Sequence, residues 1–591
     1  MPEIVEGERG REGERENSAP AALLPHSHTP VLILLAFLVF ALAPLTAPGY
    51  FMYGHDARHS VYFLQMFDQS VQDGAWYPRW AADMVFGYGY PLWLILAPIP
   101  FFAGEAIHLA GFDFVSAVKI VQGLALAFSA LAMYLFVSHV LNKNAALVAA
   151  IAYAYIPYHL ADLYVRAAQA ELVGFVFPPL VFWAFHQLAV TRNVRYAPLA
   201  ALAYAGLLLS HMQTAVFFTP IIGLYLILLF FSLRSTHPER SAAKSKDVLR
   251  FTFYVSLSLA LALALAAIFL LPILAEQKFL TSDPLISGVF DYRKHFVNAS
   301  QLLSPFWGYG YAGENGNDRF SLQLGLVPVL LAFVSLWSWR KMSGAVRWHV
   351  AFCALVVAAL VFLMLPLSAA FWEPFAAIVA YVQFPWRLLT ITTFALAFLS
   401  GAALYALPDD LRDVVPALAV GLIFVAASYG YTEPQHTEAV FNYQAQMEFQ
   451  VKDRELLGDT IWMTGPRPLD SPLVAQYVSG KPLQKAVALD EGATVEMLRH
   501  GGQSDEVRVA ASAPVRVMFY TRFFPGWTAT LDSQPIALEP YGEQGLILAR
   551  VPAGSHIVRL RYEGTPAQQA GAIISGICLL VTLIWYAKCG K

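Results

Sequence analysis

The sequence predicts a mainly α-helical, polytopic membrane bundle that carries a C-terminal external β-sandwich. Three observations lead there. Of 591 residues, 58% are hydrophobic and only 13% are charged, with a mean hydropathy of +0.53; a soluble domain carries about 25% charged residues. About twelve apolar runs approach the roughly 20 residues needed to cross a ~30 Å hydrocarbon core. Between 432 and 566 those runs stop, and short alternating stretches such as "DEVRVAAS", "PVRVMFYT" and "HIVRLRYE" replace them.

Taken in chain order, residues 1–29 hold six Glu and three Arg and read as a disordered cytoplasmic tail. A secretory leader opens on a short positive segment, so 30–48 reads as an uncleaved first span, although "ALAPLTA" from Ala41 has the look of a cleavage site. Further spans are expected near 115–139, 145–160, 171–190, 196–210, 213–232, 251–274, 321–339, 348–366, 386–407 and 414–431, with the last at 567–587. The run at 91–111 contains Pro91, Pro98, Pro100, Gly104 and Glu105, which argue against an unbroken helix.

Charge decides whether 91–111 crosses. If it does not, the basic loops at Lys143, Arg192/Arg195, 233–250 and 340–347 all share the N-terminal side, as do Lys588 and Lys591. That is the positive-inside arrangement. The segment is therefore read as re-entrant or juxtamembrane, beside a protein-lined cavity. This places the N-terminus in the cytoplasm of a cell (plasma or inner) membrane. Segments 49–114, 158–170, 275–320, 367–385 and 432–566 then lie outside. The resulting domains are 30–431, the membrane bundle; 432–566, an external β-sandwich marked by period-2 alternation and turns such as "FFPGW" and "VPAGSH"; and 567–591, the final span and its cytoplasmic end.

Composition excludes other classes. A net charge of −3 without a basic tract offers nucleic acid no footing. Cys353, Cys578 and Cys589 have no metal-like spacing and form no disulfide framework. No GxxxxGK[ST] loop occurs, so nucleotide hydrolysis is not expected, and no Asp-X-Asp triplet suggests a soluble nucleotide-sugar enzyme. An inverted repeat of interrupted helices, the pointer to a secondary transporter, is also missing.

The chemistry-bearing residues gather at one membrane boundary. "GHDARH" supplies His55, Asp56, Arg58 and His59; a helix there would put His55 and His59 on one face, able to hold a divalent metal with Asp56 or to tune Asp56 as a base. The same residues also suit a merely solvated loop. "YHLADLYVRAAQAE" supplies His159, Asp162, Arg166 and Glu171 where a span re-enters the bilayer, either a functional site or a structural ion pair. His211 lies between two spans and reads equally as a packed histidine. In "YVQFPWRLL", Arg387 suits bidentate phosphate recognition or an interfacial anchor. Topology brings Asp56, Arg166, Glu171, His211 and Arg387 to one side from distant places. A shared cavity with an acid/base carboxylate and phosphate-binding arginines is the simplest common cause.

The series "GHDARH", "WYPRW…FGYGYP", "YVRAAQAE", "QFPWR", and then "FFPGWTATLDSQP…VPAGSHIVRLRYEGTP" before a final span, resembles the GT-C glycosyltransferase superfamily. More narrowly it resembles the YfhO-like group and the related group with the legacy name "6-pyruvoyl-tetrahydropterin synthase-related". The resemblance covers about 30–587. It implies an integral-membrane transferase moving a sugar from a polyprenyl-phosphate donor to a cell-envelope acceptor on the outer face. Carried over, it makes Asp56 the base and Arg166 and Arg387 the lipid-phosphate contacts, with Arg79 behind them. The residues themselves add His55 and Glu171 as catalytic neighbours, His211 as a further phosphate contact, and His55, Asp56 and His59 as possible metal ligands. Position 57 is Ala, where the superfamily often has a second carboxylate. The pterin label implies nothing, because no three-His zinc site is evident. The rival reading is a lipid or polysaccharide transporter, or an envelope-assembly protein, whose outer domain binds cargo.

Overall fold

A computed structural model describes residues 29–51, 53–235, 241–281, 286–438, 440–453 and 459–589. The expected 1–29 tail, apart from Thr29, lies outside the described residues, as do Lys591 and the side chains of Arg234, Arg240 and Lys244. Among the described residues, nine helices are long and apolar enough to span a membrane. They are Thr29–Thr46, Phe114–Val140, Gln169–Thr191, Met212–Leu233, Lys246–Leu265, Gly344–Met364, Pro385–Ala406, Val414–Tyr431 and Pro566–Cys589. A tenth is possible if Lys143–Tyr155 and Pro157–Arg166, bent by 41°, act as one.

Of the twelve expected spans, nine or ten are thus helices of full spanning length among the described residues, and the others are shorter helices. The run at 321–339 yields a helix of only 12 residues, Leu326–Trp337, and 196–210 one of 15, Tyr196–Ser210. At 1.5 Å per residue, about 18 and 22 Å fall short of a ~30 Å core. The 91–111 run forms Leu92–Ile95 and the 11-residue Ile99–Leu109, again too short to cross. Pro157 explains the bend: the residue before a proline avoids the helical region, and Ile156 sits at φ −58°, ψ 132°.

The bundle closes around Lys143–Tyr155, which is buried from Ala145 to Tyr155. Its alanines let neighbours approach closely; Gly401 of Leu389–Ala402 faces the Ala145 carbonyl and the Ala149 methyl with no room for a Cβ. Small residues at such crossings are how membrane helices gain packing without a hydrophobic driving force.

The C-terminal sheets alternate inward and outward as period-2 patterning requires. Ala486–Ala488, Val515–Arg522, Leu546–Val551 and Leu538–Tyr541 form one antiparallel sheet, in that order. Ala493–His500, Ser504–Ala511, Gly554–Tyr562, Trp527–Leu531 and Gln534–Ile536 form the other. Val507, Val517, Phe519, Ile547, Val558 and Leu560 fill the space between.

The first loop plugs into this domain. Trp80 joins the sandwich core, 5.3 Å from the Trp527 ring and 5.9 Å from Tyr562. Residues Val85, Phe86, Gly87 and Gly89 all have positive φ. Side chains and backbone from the C-terminal part hold that costly path: Gln450 Oε1 accepts from the Phe86 amide at 2.9 Å, Ser471 Oγ donates to the Phe86 carbonyl at 2.6 Å, and the Arg522 amide donates to the Tyr88 carbonyl at 2.8 Å. A Cβ at Gly89 would collide with the Trp80 indole. The "WYPRW…FGYGYP" motif is thus a docking plug.

A buried charge cluster seals the joint. Tyr477 donates to Asp83, His500 Nδ1 lies 2.6 Å from Asp505 Oδ1, and His500 Nε2 is 3.9 Å from Asp83 Oδ1, with Lys485 on the Gly87 carbonyl. Burial works against the His500 charge, but Asp505 and Asp83 outweigh it and push its pKa up to about 9. A raised histidine pKa adds stability that is complete below its ordinary value near 6.5 and is lost as pH climbs through 9. Amide exchange in the 500–504 turn is expected to accelerate between pH 7 and 10 beyond intrinsic chemistry. In His500→Gln that extra pH dependence should disappear; if wild type and variant keep the same profile, His500 does not hold the joint.

Candidate functional site

Backbone assembles the site first. After Pro157–Ala161 the chain makes one π-helical turn, Asp162–Arg166, and reverses at Ala167, which takes φ +52°. Left-handed alanine costs roughly 1–2 kcal/mol, and π turns often mark functional sites. The reversal turns three carbonyls toward "GHDARH". The Asp56 amide donates to the Arg166 carbonyl at 2.7 Å and the His55 amide to Val165 at 3.3 Å; Ser60 Oγ donates to Ala167 at 3.3 Å. Gly54 permits this contact, because a Cβ there would press on the Val165 carbonyl and the Ala167 methyl at 3.1 and 3.2 Å.

Arg166 is the buried hub, with a side chain only 5% exposed. Its Nη1 reaches Asp162 one turn back, Glu171 Oε2 at 2.6 Å and the Tyr158 hydroxyl at 3.1 Å. Glu171 Oε1 accepts from Tyr158 at 2.9 Å and from Thr390 at 2.7 Å, so both its oxygens are taken. The guanidinium lies 5.0 Å from the Trp386 ring. A charge in this interior needs such pairing, and breaking a buried pair costs about 3–5 kcal/mol.

Around the hub stand the other groups. Asp56 caps the Ala57–Gln72 helix by position, but its half-exposed carboxylate takes no hydrogen bond or ion pair among the described residues. It acts electrostatically on Arg166, Arg387 and His211, which places all four in one field. Arg387 donates from Nη1 to Gln383 Oε1 at 2.6 Å and to the Val382 carbonyl at 3.2 Å. Among the described residues it faces no carboxylate within ion-pair distance, and its buried Nε has no partner. His211 meets Thr214 Oγ1 at 2.7 Å through Nδ1. Sequence-distant Asp56, Arg166, Glu171, His211 and Arg387 therefore meet.

Other singled-out residues lie apart. Arg79 stacks 3.6 Å over Tyr77 and donates to the Ile268 carbonyl at 2.8 Å, at the joint with the sandwich. His159 is a core histidine, stacked on Phe175 and bonded to the Tyr153 carbonyl. The helix begins at Ala57, so His55 precedes it and does not share a helical face with His59. His55 Nε2 meets the Gly310 carbonyl at 2.8 Å and its ring stacks on Tyr311, whereas His59 packs against Phe63 and Phe449. The Gly310 carbonyl makes Nε2 the protonated nitrogen and leaves the lone pair on Nδ1. Among the described residues no group of three His, Cys, Asp or Glu gathers to hold a metal. The His55/Asp56/His59 metal set does not fit. Burial, foremost, pulls His55 down to about 4, with Gly310 opposing, so it is neutral at pH 7.

Sequence reasoning missed Tyr158, Thr390 and Gly310 as partners; the Arg166/Glu171 ion pair was legible at the re-entry of the span, and the i, i+4 Asp162/Arg166 spacing is a second visible signal for the hub. Glu171→Ala is expected to lower thermal stability by about 3–5 kcal/mol because Arg166 loses a partner while still buried. Asp56→Asn, which breaks no bond, should unfold within about 1 kcal/mol of wild type in thermal melts of the detergent-purified protein. Equal losses would contradict this division.

A curated relative from Lactococcus lactis subsp. cremoris (strain MG1363), described as an uncharacterized protein, is 23% identical over 325 residues, covering 53% of this chain and 50% of that one. Among solved structures, the mycobacterial arabinofuranosyltransferase AftD is similar at TM-score 0.46 and 15% identity, over 77% of this chain and 31% of its own. The Archaeoglobus fulgidus oligosaccharyltransferase is similar at TM-score 0.42 and 12% identity, over 77% of this chain and 59% of its own. The chain thus spans half the length of the curated relative and under a third of AftD. The model of one membrane-protein family, "6-pyruvoyl-tetrahydropterin synthase related domain", matches residues 95–430, more than half of the sequence, and the chain belongs to that family.

Proposed function

We propose that this protein is a membrane glycosyltransferase that moves a sugar from a polyprenyl-phosphate donor to an acceptor hydroxyl at the outer face of the membrane. One observation carries the reading: beside the Arg166–Glu171 pair, and among the described residues, Asp56 keeps a carboxylate with no hydrogen bond or ion pair and Arg387 a guanidinium that faces no carboxylate, both within one electrostatic field. A lipid-linked donor brings its own leaving phosphate, so the protein needs a base for the acceptor and a cation for the departing oxygen. Asp56 takes the acceptor proton, the acceptor oxygen bonds the anomeric carbon, and the sugar–phosphate C–O bond breaks with its electron pair going to the phosphate. Arg387 meets the charge that develops there. Arg166 is too committed to do so; its role is to hold the Asp56 amide through its own carbonyl. Outer placement follows from the basic loops on the N-terminal side, read as inside.

The test incubates purified protein in nanodiscs with a panel of polyprenyl-phosphate sugars and follows loss of sugar from the lipid. Wild type should consume one donor, and Asp56→Asn should be slower by at least ~10²-fold, the usual contribution of a positioned base. Arg387→Ala should mainly lower kcat/KM, with Arg387→Lys recovering part. Donor consumed equally by wild type and Asp56→Asn would remove Asp56 from the role. Vectorial movement of an intact lipid-linked sugar without bond cleavage would favour a transporter instead.

A further inference from the structure

Between the Gly344–Met364 span and Arg387 lies a chain of short helical turns, 366–382, whose outer side is apolar. Leu367 is 79% exposed, Phe371 63%, Phe375 60% and Ile378 70%. Their spacing of four, four and three residues is the repeat that gathers side chains in a stripe along one side of helical turns. The opposite side is occupied: Trp372 is buried, its ring 5.5 Å from Tyr292, and Ser368 donates to the Leu363 and Leu365 carbonyls. Glu373, mid-segment, pairs with Arg293 at 2.9 Å, and both stay about half exposed.

We infer that 366–382 lies flat in the headgroup–acyl boundary of the bilayer, its stripe covered by lipid. Depth is set from both directions. An ion pair left half exposed in the middle of the segment does not belong in hydrocarbon, so the segment is no half-span. Four large apolar groups in a row do not belong in water either. The segment also continues directly from a lipid-facing span, Gly344–Met364, on which Leu355 is 70% exposed, so its stripe is contiguous with a surface lipid already covers. A surface helix of this kind buries its apolar face about 5–10 Å below the headgroups.

The consequence reaches the site. The segment ends at Gln383, in the left-handed region at φ +63°, whose side-chain oxygen holds Arg387. Gln213 of the Met212–Ser235 helix donates to the Tyr381 carbonyl at 3.0 Å and pins that end to the bundle. A bilayer-seated stripe thereby places Arg387 at the depth of lipid phosphates. This last step rests on the proposed function; the seating itself does not.

The test uses the full chain in phosphatidylcholine/phosphatidylglycerol nanodiscs without any donor. Benzoylphenylalanine is placed at Phe375 or Ile378, and at Glu373 as the polar-side control. Irradiation should yield phospholipid adducts at 375 and 378, at least fivefold above 373. Adducts to a second protein copy, or to no lipid at all, would overturn the seating. As a second measurement, nitroxides at 371 and 375 in a chain with Cys353, Cys578 and Cys589 replaced by Ala should report a depth of about 5–10 Å. A mid-bilayer depth would overturn it equally. Then Ile378→Asp should weaken binding of undecaprenyl phosphate in nanodiscs at least tenfold while sparing a detergent-soluble short-chain prenyl phosphate. If adducts and depth agree but wild type binds no prenyl phosphate, the functional reading fails and the seating stands.

Discussion

A guanidinium buried in the interior of a membrane bundle has to be paired, and the site is built from the solution to that constraint. Arg166 is met by Asp162 one turn back and by Glu171 five residues on. An undisturbed helix cannot bring both to one Nη1, so the chain spends a π turn and a left-handed alanine to do it. Those departures leave the Val165, Arg166 and Ala167 carbonyls without helical partners. An unpaired carbonyl at this depth is expensive, and the amides and hydroxyl of His55, Asp56 and Ser60 satisfy them. One buried charge thus joins the broken helix, the first loop and, through Thr390, the span that carries Arg387.

Satisfaction and availability are divided among the charged residues. Three carboxylates and two guanidiniums share the region, and the most buried ones are joined: Arg166 bonds both Asp162 and Glu171, while Asp162 Oδ2 stays without a partner among the described residues. The half-exposed ones, Asp56 and Arg387, are not so joined among those residues. Chemistry needs groups whose bonds are not already made, so burial separates the scaffold from the candidates. Aromatic rings from the 305–320 loop and from "QFPWR" close the far side: Tyr311 on His55, and Phe320 between His55 and Trp386 at 5.0 and 5.2 Å.

The same logic governs the sandwich joint, with a different outcome. There the strained "FGYGYP" path, the Trp80 anchor and the Asp83–His500–Asp505 cluster leave few polar groups in reach of water. Asp73, at the far end of the helix that starts beside Asp56, is held by Arg499 at 2.6 Å, the Gln503 amide and Ser504. The sandwich is therefore bonded to the helix on which the candidate base sits, and Arg79 belongs to this joint.

The amino-acid sequence by itself determined the class: low charge, long apolar runs, and period-2 stretches that can only bury one side. It also exposed the site's constituents, because an ionisable residue interrupting an apolar run is conspicuous against its cost. What it left open were roles and partners. Asp56 and Arg166 differ by 110 positions, and neither spacing nor periodicity tells which arginine will be neutralised and which left open. His55 and His59 looked like one face until the helix start at Ala57 separated them. Helix lengths within the apolar runs were open for a related reason: hydropathy measures how apolar a run is, while a proline, a glycine or a competing loop contact decides how much of it is helix. Those decisions belong to the tertiary structure, where each buried polar group finds its partner far along the chain.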